Sequence, residues 1–176
     1  VDRIPDERVN DVVLFDPAYV LYFSGFAFIP TERPVAFVMN LDGERALFVP
    51  RLELEHAKSR SNVTRVDTYI EYPNDAHPME SLKRTLADLG MRGAIAADSD
   101  GYPWIFGYRG PTLTELTGAT PVRIAAFVED LMMIKSAAEV SLIRESCRWG
   151  DLAHRLLQRY TRVGAGDLRE TARLLV

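Results

Sequence analysis

The chain has a single cysteine, Cys147, which rules out an internal disulfide and fits a reducing compartment. It has three histidines, His56, His77 and His154, far apart in sequence. A stable metal site normally needs three or four protein ligands, so the reading is that these residues hold none. Lysine is scarce, at Lys58, Lys83 and Lys135, and the arginines are scattered among acidic residues at a net charge of −4. Phosphate-backbone binding wants a basic stripe, so nucleic acid is not expected as a partner. No apolar run approaches the roughly 20 residues of a membrane span. The first residues, VDRIPDERVND, are charged and lack the apolar core of a signal peptide. The expectation from these absences is a cytoplasmic chain, away from membranes. There is no Gly-x-Gly-x-x-Gly or Walker loop, no internal repeat and no low-complexity tract.

What is there is an ordinary globular composition, 47% hydrophobic and 26% charged, over 176 residues. That suits one domain with an appendage and is short for two complete ones. The most informative stretch runs from Tyr19 to Pro50. A short apolar segment ends in Ser24-Gly25, and a loop follows that carries Phe26, Phe28, Glu32 and Arg33. Two apolar runs, Pro34–Met39 and Ala46–Val49, are joined across Asn40-Leu41-Asp42-Gly43, a hairpin signal because such turns need residues that tolerate positive φ. Pro34 has no backbone donor and is expected at the first residue of its strand or on a free edge.

Val12–Phe15 reads as a strand buried on both faces, and Ala18–Ser24 as one or two helical turns. Pro50–Ser61 is helix-prone. Arg65–Tyr72 alternates as a strand, with Val66 and Tyr69 placed inward. Pro78 suits a helix start, Met79, Leu82, Leu86 and Leu89 recur at helical spacing, and Gly90 closes that helix. Gly93–Ala97 is a second buried strand, Thr112–Leu116 a short helix, and Val122–Ala126 a last strand. Helix and strand alternate after the hairpin, which predicts an α/β fold with a mixed β-sheet, an antiparallel hairpin within it, and helices on its faces. Ser136 and Glu139 form a capping box, and apolar residues recur from Val140 through Tyr160. The result is a linker helix longer than this small domain needs to cover one sheet face. Asp167 and Glu170 begin another helix, inside which the sequence stops. The expectation is a chain cut from a longer protein: domain 1–134, then 135–176 as linker helix and the start of a further domain.

The candidate groups divide into three. Glu53-x-x-His56 and Asp151-x-x-His154 each put two ligand types on one helix face, a pattern that is usually surface decoration. Asp16 and Asp98 follow apolar strands, with Asp100 close behind. They either form a two-metal nuclease site at the carboxyl ends of strands or, as favoured, shape turns and cap helices. Cys147 is expected to be packed on the apolar stripe of its helix rather than reactive. The loop 26–33 is the candidate contact surface. Phe26 and Phe28 flank one residue and so point the same way on extended backbone, and Arg33 can hold a carboxylate bidentately. The competing reading packs both rings in the core and leaves Arg33 to Glu32 or solvent. Trp104 and Tyr108 are expected in the core or at a dimer contact.

Ser24-Gly25-Phe26 after Tyr22, Arg33-Pro34, Asp42-Gly43-Glu44, Leu47-Phe48-Val49-Pro50 and Glu53-x-Glu55-x-Ala57 follow one another in an order that resembles the creatinase/prolidase N-terminal domain. Ile134-Lys135-Ser136-Ala137-Ala138-Glu139-Val140, then Ile143-Arg144, is similar to the linker leading from that domain into a catalytic half. The resemblance covers about residues 10–176. It implies the ribonuclease-H-like architecture of that domain, here without catalytic residues. It also implies a parent of the pita-bread metallohydrolase group, which includes Xaa-Pro dipeptidase, aminopeptidase P and creatinase. In that group two divalent metal ions (Mn, Co or Zn) sit in the C-terminal catalytic domain, none of whose ligands is reached here, so no cofactor is expected in this fragment. The resemblance further implies a homodimer, with the loop bearing Phe26, Phe28 and Arg33 at the mouth of the partner's active site. Its alternatives are a protein-interaction module of a catalytically inactive relative and the domain of a creatinase-like amidinohydrolase.

Overall fold

The structure is a computed structural model and describes residues 9–71, 76–91, 94–103 and 109–161. The chain divides into two compact units, Val1–Leu131 and Met132–Val176.

The first unit is built on a six-stranded mixed sheet. Its strands are β1 (Val9–Leu14), β2 (Ala36–Met39), β3 (Arg45–Pro50), β4 (Arg65–Tyr69), β5 (Ala94–Ala97) and β6 (Val122–Arg123), in the order β4-β3-β2-β1-β5-β6. The β1–β2 and β2–β3 pairs are antiparallel, while β1–β5, β3–β4 and β5–β6 are parallel. The α/β expectation holds, hairpin included. Its loop is closed by Gly43 at φ 80°, with the Asn40 and Glu44 backbones bonded across it at 3.1 Å. Pro34 stands two residues ahead of β2. Because β2 is interior to the sheet, a position before the strand is the one that a residue without an N–H can take.

Period-two alternation divides the core between the two faces. On one, Val13, Phe15, Ala36, Val38, Ala46, Phe48, Tyr69, Ile95 and Ala97 are buried together with side chains of α3 (Pro78–Asp88) and α4 (Leu113–Thr117). The predicted stripe Met79, Leu82, Leu86 and Leu89 is buried there. Gly90, at φ 71°, lets the Met91 N–H reach back to the Leu86 carbonyl at 3.0 Å and so ends the helix. The other face carries Val12, Leu14, Phe37 and Met39. With Phe23 of α1 (Pro17–Ser24) and Ile124, Phe127, Val128 and Leu131 in and just before α5 (Ala125–Met133), they line an apolar cavity of about 290 Å³. A 3-10 turn, Arg51–Glu53, leads into α2 (Leu54–Arg60).

Two predicted elements differ. The last strand is only Val122–Arg123, and Ala125–Met133 is helical. Pairing with β5 ends at Arg123, the Ile124 N–H makes a last bond to the Ala97 carbonyl, and the Ile124 carbonyl already accepts the first helical bond, from Val128. Local apolarity could not mark that change of period. On β4, Tyr69 is buried, but Val66 is only half-buried. An odd spacing of three puts the two on opposite faces, so they could not both have faced inward toward one layer.

In the second unit, α6 (Ala137–Tyr160) is about 36 Å long at 1.5 Å per residue. Ser136 and Glu139 form the predicted capping box, with the Ser136 N–H donating to Glu139 Oε2 at 2.8 Å. None of its residues is buried; Leu142, Trp149 and Leu157 are 67%, 64% and 58% exposed. Cys147 is exposed as well, contrary to the packed position expected from its place on the apolar stripe. Among the described residues no helix is long and apolar enough to cross a membrane. The expected helix from Asp167, with Trp104, Tyr108 and Tyr72, lies outside the described residues.

Candidate functional site: the loop between the first helix and the hairpin

The loop begins where α1 stops. Gly25 takes φ 74°, and its N–H closes on the Leu21 carbonyl at 2.8 Å, a left-handed cap that suits glycine. A Cβ there would sit 3.4 Å from the Arg60 carbonyl oxygen. The Ser24 hydroxyl accepts the Phe26 N–H at 3.1 Å while donating to the Val20 carbonyl. This turn sends Phe26 inward, where it is fully buried. Its ring stacks on Phe28 at 5.6 Å and 15°, and His56 of α2 lies 4.9 Å from it. The two rings therefore lie together on one side of the loop, with Phe28 half-buried and Ile29 85% exposed beyond them.

Further along, the backbone around Arg33 is tied to the core. The Tyr102 hydroxyl donates to the Thr31 carbonyl at 2.8 Å, and the Tyr69 hydroxyl to the Pro34 carbonyl at 3.0 Å. The Arg33 N–H donates to the Thr31 hydroxyl at 3.2 Å. The Arg33 side chain is 37% exposed, with Nε 3.7 Å from Glu32 Oε1. That Nε is itself buried and has no hydrogen-bond acceptor. The pairing with Glu32 is what the competing reading expected of this arginine; only the exposed part of its guanidinium is placed to meet a planar anion such as a carboxylate.

The strand-end carboxylates are occupied locally. Asp98 accepts the Phe15 N–H at 3.0 Å and the Asp16 N–H at 2.6 Å. Burial pushes its carboxyl above the usual aspartate range, with its backbone hydrogen bonds opposing that push. Asp16 caps α1 through the Ala18 N–H at 2.8 Å. Asp100 accepts both the N–H and the hydroxyl of Thr114, at 2.9 and 2.8 Å. Asp16 and Asp100 serve helix starts, as favoured, whereas Asp98 neither caps the helix that follows it nor shapes its own turn but ties down the end of β1. The helical pairs are also engaged: His56 Nδ1 is 2.9 Å from Glu53 Oε2, His154 Nδ1 is 2.8 Å from the Gly150 carbonyl, and Asp151 pairs with Arg155. Among the described residues no three His, Cys, Asp or Glu side chains gather as a metal ion requires. The divalent pair implied by the resemblance does not fit these residues.

The sequence profile of the Creatinase/Prolidase N-terminal domain matches residues 2–134. The chain belongs to that family. A proline dipeptidase structure from Streptococcus pneumoniae is similar at 27% identity with a TM-score of 0.59, over 73% of this chain and 90% of that one. An X-Pro aminopeptidase from Thermotoga maritima has the same fold, with a TM-score of 0.68 at 20% identity, over 95% of this chain and 45% of that one. Among curated proteins, an uncharacterized peptidase of Staphylococcus aureus is 23% identical over 151 residues. That match takes in 86% of this chain, which spans about 40% of the relative's length.

Within this creatinase/prolidase N-terminal domain, the bonds of Tyr69 and Tyr102 to the loop are what sequence reasoning missed. The two tyrosines lie 35 and 71 residues from the carbonyls they hold, so no local spacing could have pointed to these bonds.

Proposed function

We propose that this chain is the non-catalytic N-terminal domain of an Xaa-Pro dipeptidase or aminopeptidase-type metallohydrolase. In this reading residues 135–176 lead into a C-terminal catalytic domain, and that domain holds two divalent metal ions that supply the hydrolytic chemistry. The parent is a cytoplasmic homodimer, and the loop of one subunit lines the mouth of the partner's active site. Phe28 and Arg33 are the outward part of that lining, and Phe26 supports Phe28 from beneath.

The observation that carries this reading is the family match over residues 2–134, in a chain that spans about 40% of the length of a peptidase relative. The uncovered apolar side chains of α6, Leu142 and Trp149 among them, support a covering domain beyond the linker. The local engagement of Asp16, Asp98 and Asp100 speaks against an independent nuclease site.

Arg33→Ala in the longer protein tests the mouth. A charge-assisted bond to a substrate carboxylate contributes about 1.5–3 kcal/mol, so kcat/KM on an Xaa-Pro dipeptide should fall roughly 10- to 150-fold. Arg33→Lys should restore only part of it, since an ammonium cannot make the two-pronged contact. Retention of kcat/KM within about twofold would leave the loop a simple connector.

A further inference from the structure

The two tyrosine hydroxyls act on either side of one residue. Tyr102 fixes the carbonyl of Thr31, two residues before Arg33, and Tyr69 fixes the carbonyl of Pro34, the residue after it. Both tyrosines are 3% exposed and cannot easily shift. The Tyr102 ring meets Phe15 edge-on at 6.4 Å, and the Tyr69 ring stacks on Phe48 at 5.0 Å. Phe15 follows β1 and Phe48 lies on β3, so the two anchors take their rigidity from different parts of the sheet. The Arg33 N–H bond to the Thr31 hydroxyl closes the segment from within. By contrast Ala27 and Ile29, earlier in the loop, are exposed.

We propose that Tyr69 and Tyr102 are positioning residues that hold residues 31–34 so that the Arg33 guanidinium is mounted, before any ligand arrives, in one orientation. A loop arginine normally gives up side-chain and backbone freedom when it binds, and fixing the backbone beforehand removes part of that cost. The buried Nε makes no hydrogen bond and lies only at ion-pair distance, 3.7 Å, from Glu32 Oε1, so side-chain acceptors do little to hold it and its backbone does more. The ligand class is a carboxylate, and that purpose rests on the mouth reading above; the mounting itself does not.

The test uses the 176-residue chain, labelled with ¹⁵N, as wild type, Tyr69→Phe, Tyr102→Phe and the double variant. Phenylalanine keeps each ring and removes the hydroxyl. Two signals are read at Arg33, backbone amide exchange and the heteronuclear NOE of its Nε–Hε group, with the Val38 and Ile95 amides as internal references. Each single variant is expected to speed Arg33 exchange about tenfold relative to the references, the equivalent of one lost hydrogen bond, and to lower the NOE. If Arg33 and the references change in step, the tyrosines only add general stability and the proposal falls. Unchanged Arg33 signals overturn it equally. Should Arg33 loosen in these variants while Arg33→Ala leaves kcat/KM of the longer protein intact, the mounting stands and the mouth reading fails.

Discussion

The carboxylate of Asp98 accepts the backbone N–H of Asp16 at 2.6 Å, across 82 residues of sequence. The same carboxylate takes the Phe15 N–H, so one side chain after β5 satisfies two donors where β1 gives way to α1. Asp16 in turn caps that helix. The entry to the candidate loop, by way of α1, is thus fixed from the parallel neighbour strand.

Replacing Asp98 with alanine should lower stability by about 2–3 kcal/mol in urea unfolding, because two donors near the core lose their acceptor. Asp98→Asn should cost less, since one oxygen remains. The pH dependence has a definite sign. Burial raises the folded-state carboxyl above its ordinary 3.8, so between that value and the raised one the native chain binds more protons than the unfolded chain. The proton-linked part of the Asp98 contribution is fully present below pH 3.8 and is lost as pH rises through the raised value. Asp98→Asn should remove that downward slope, and an identical slope in the variant would reassign it to other groups.

Phe26 and Phe28 are stacked yet differ in burial, and their truncations should differ accordingly. Phe26→Ala opens a hole under the loop and should cost about 3–5 kcal/mol, whereas Phe28→Ala should cost less than half of that. Thermal melts of both variants check the order. Equal losses would mean that Phe28 is as much a core residue as Phe26.

At the alkaline end, Tyr102 is pushed up to about 12 by burial, aided by the charge of Glu32. Tyr19 is pushed up to about 12 by burial and by its bond to Glu129 at 3.0 Å. Both keep their protons when folded at a pH where the unfolded chain has lost them. Their contribution is therefore complete below pH 10 and drains away as pH rises toward 12. Tyr19→Phe and Tyr102→Phe should each flatten the fall in urea midpoint across that window. A wild-type slope retained in both variants would contradict this.

Most of the fold was legible because its signals are local. The Asp42-Gly43 turn, the Met79-to-Leu89 stripe closed by Gly90, and the Ser136–Glu139 box each depend on residues within a few positions of one another. The switch from strand to helix at Ile124 was not legible, because it depends on where β5 stops offering partners. The loop was legible in part. Alternation put Phe26 and Phe28 on one side, but the depth of Phe26 follows from the Ser24-Gly25 turn and from His56, 30 residues later. The exposure of Cys147 was missed because an apolar stripe states what a helix face wants to bury, not whether a partner covers it.

The central claim is that these residues support hydrolysis elsewhere and perform none themselves. The direct measurement is release of free proline from Xaa-Pro dipeptides with Mn²⁺, Co²⁺ or Zn²⁺ present, run on the 176-residue chain and on the longer protein proposed above, with creatine as a parallel substrate. The account predicts metal-dependent proline release by the longer protein and none above blank by the 176-residue chain. Proline release by the 176-residue chain alone, or its absence from the longer protein under every metal, would contradict it.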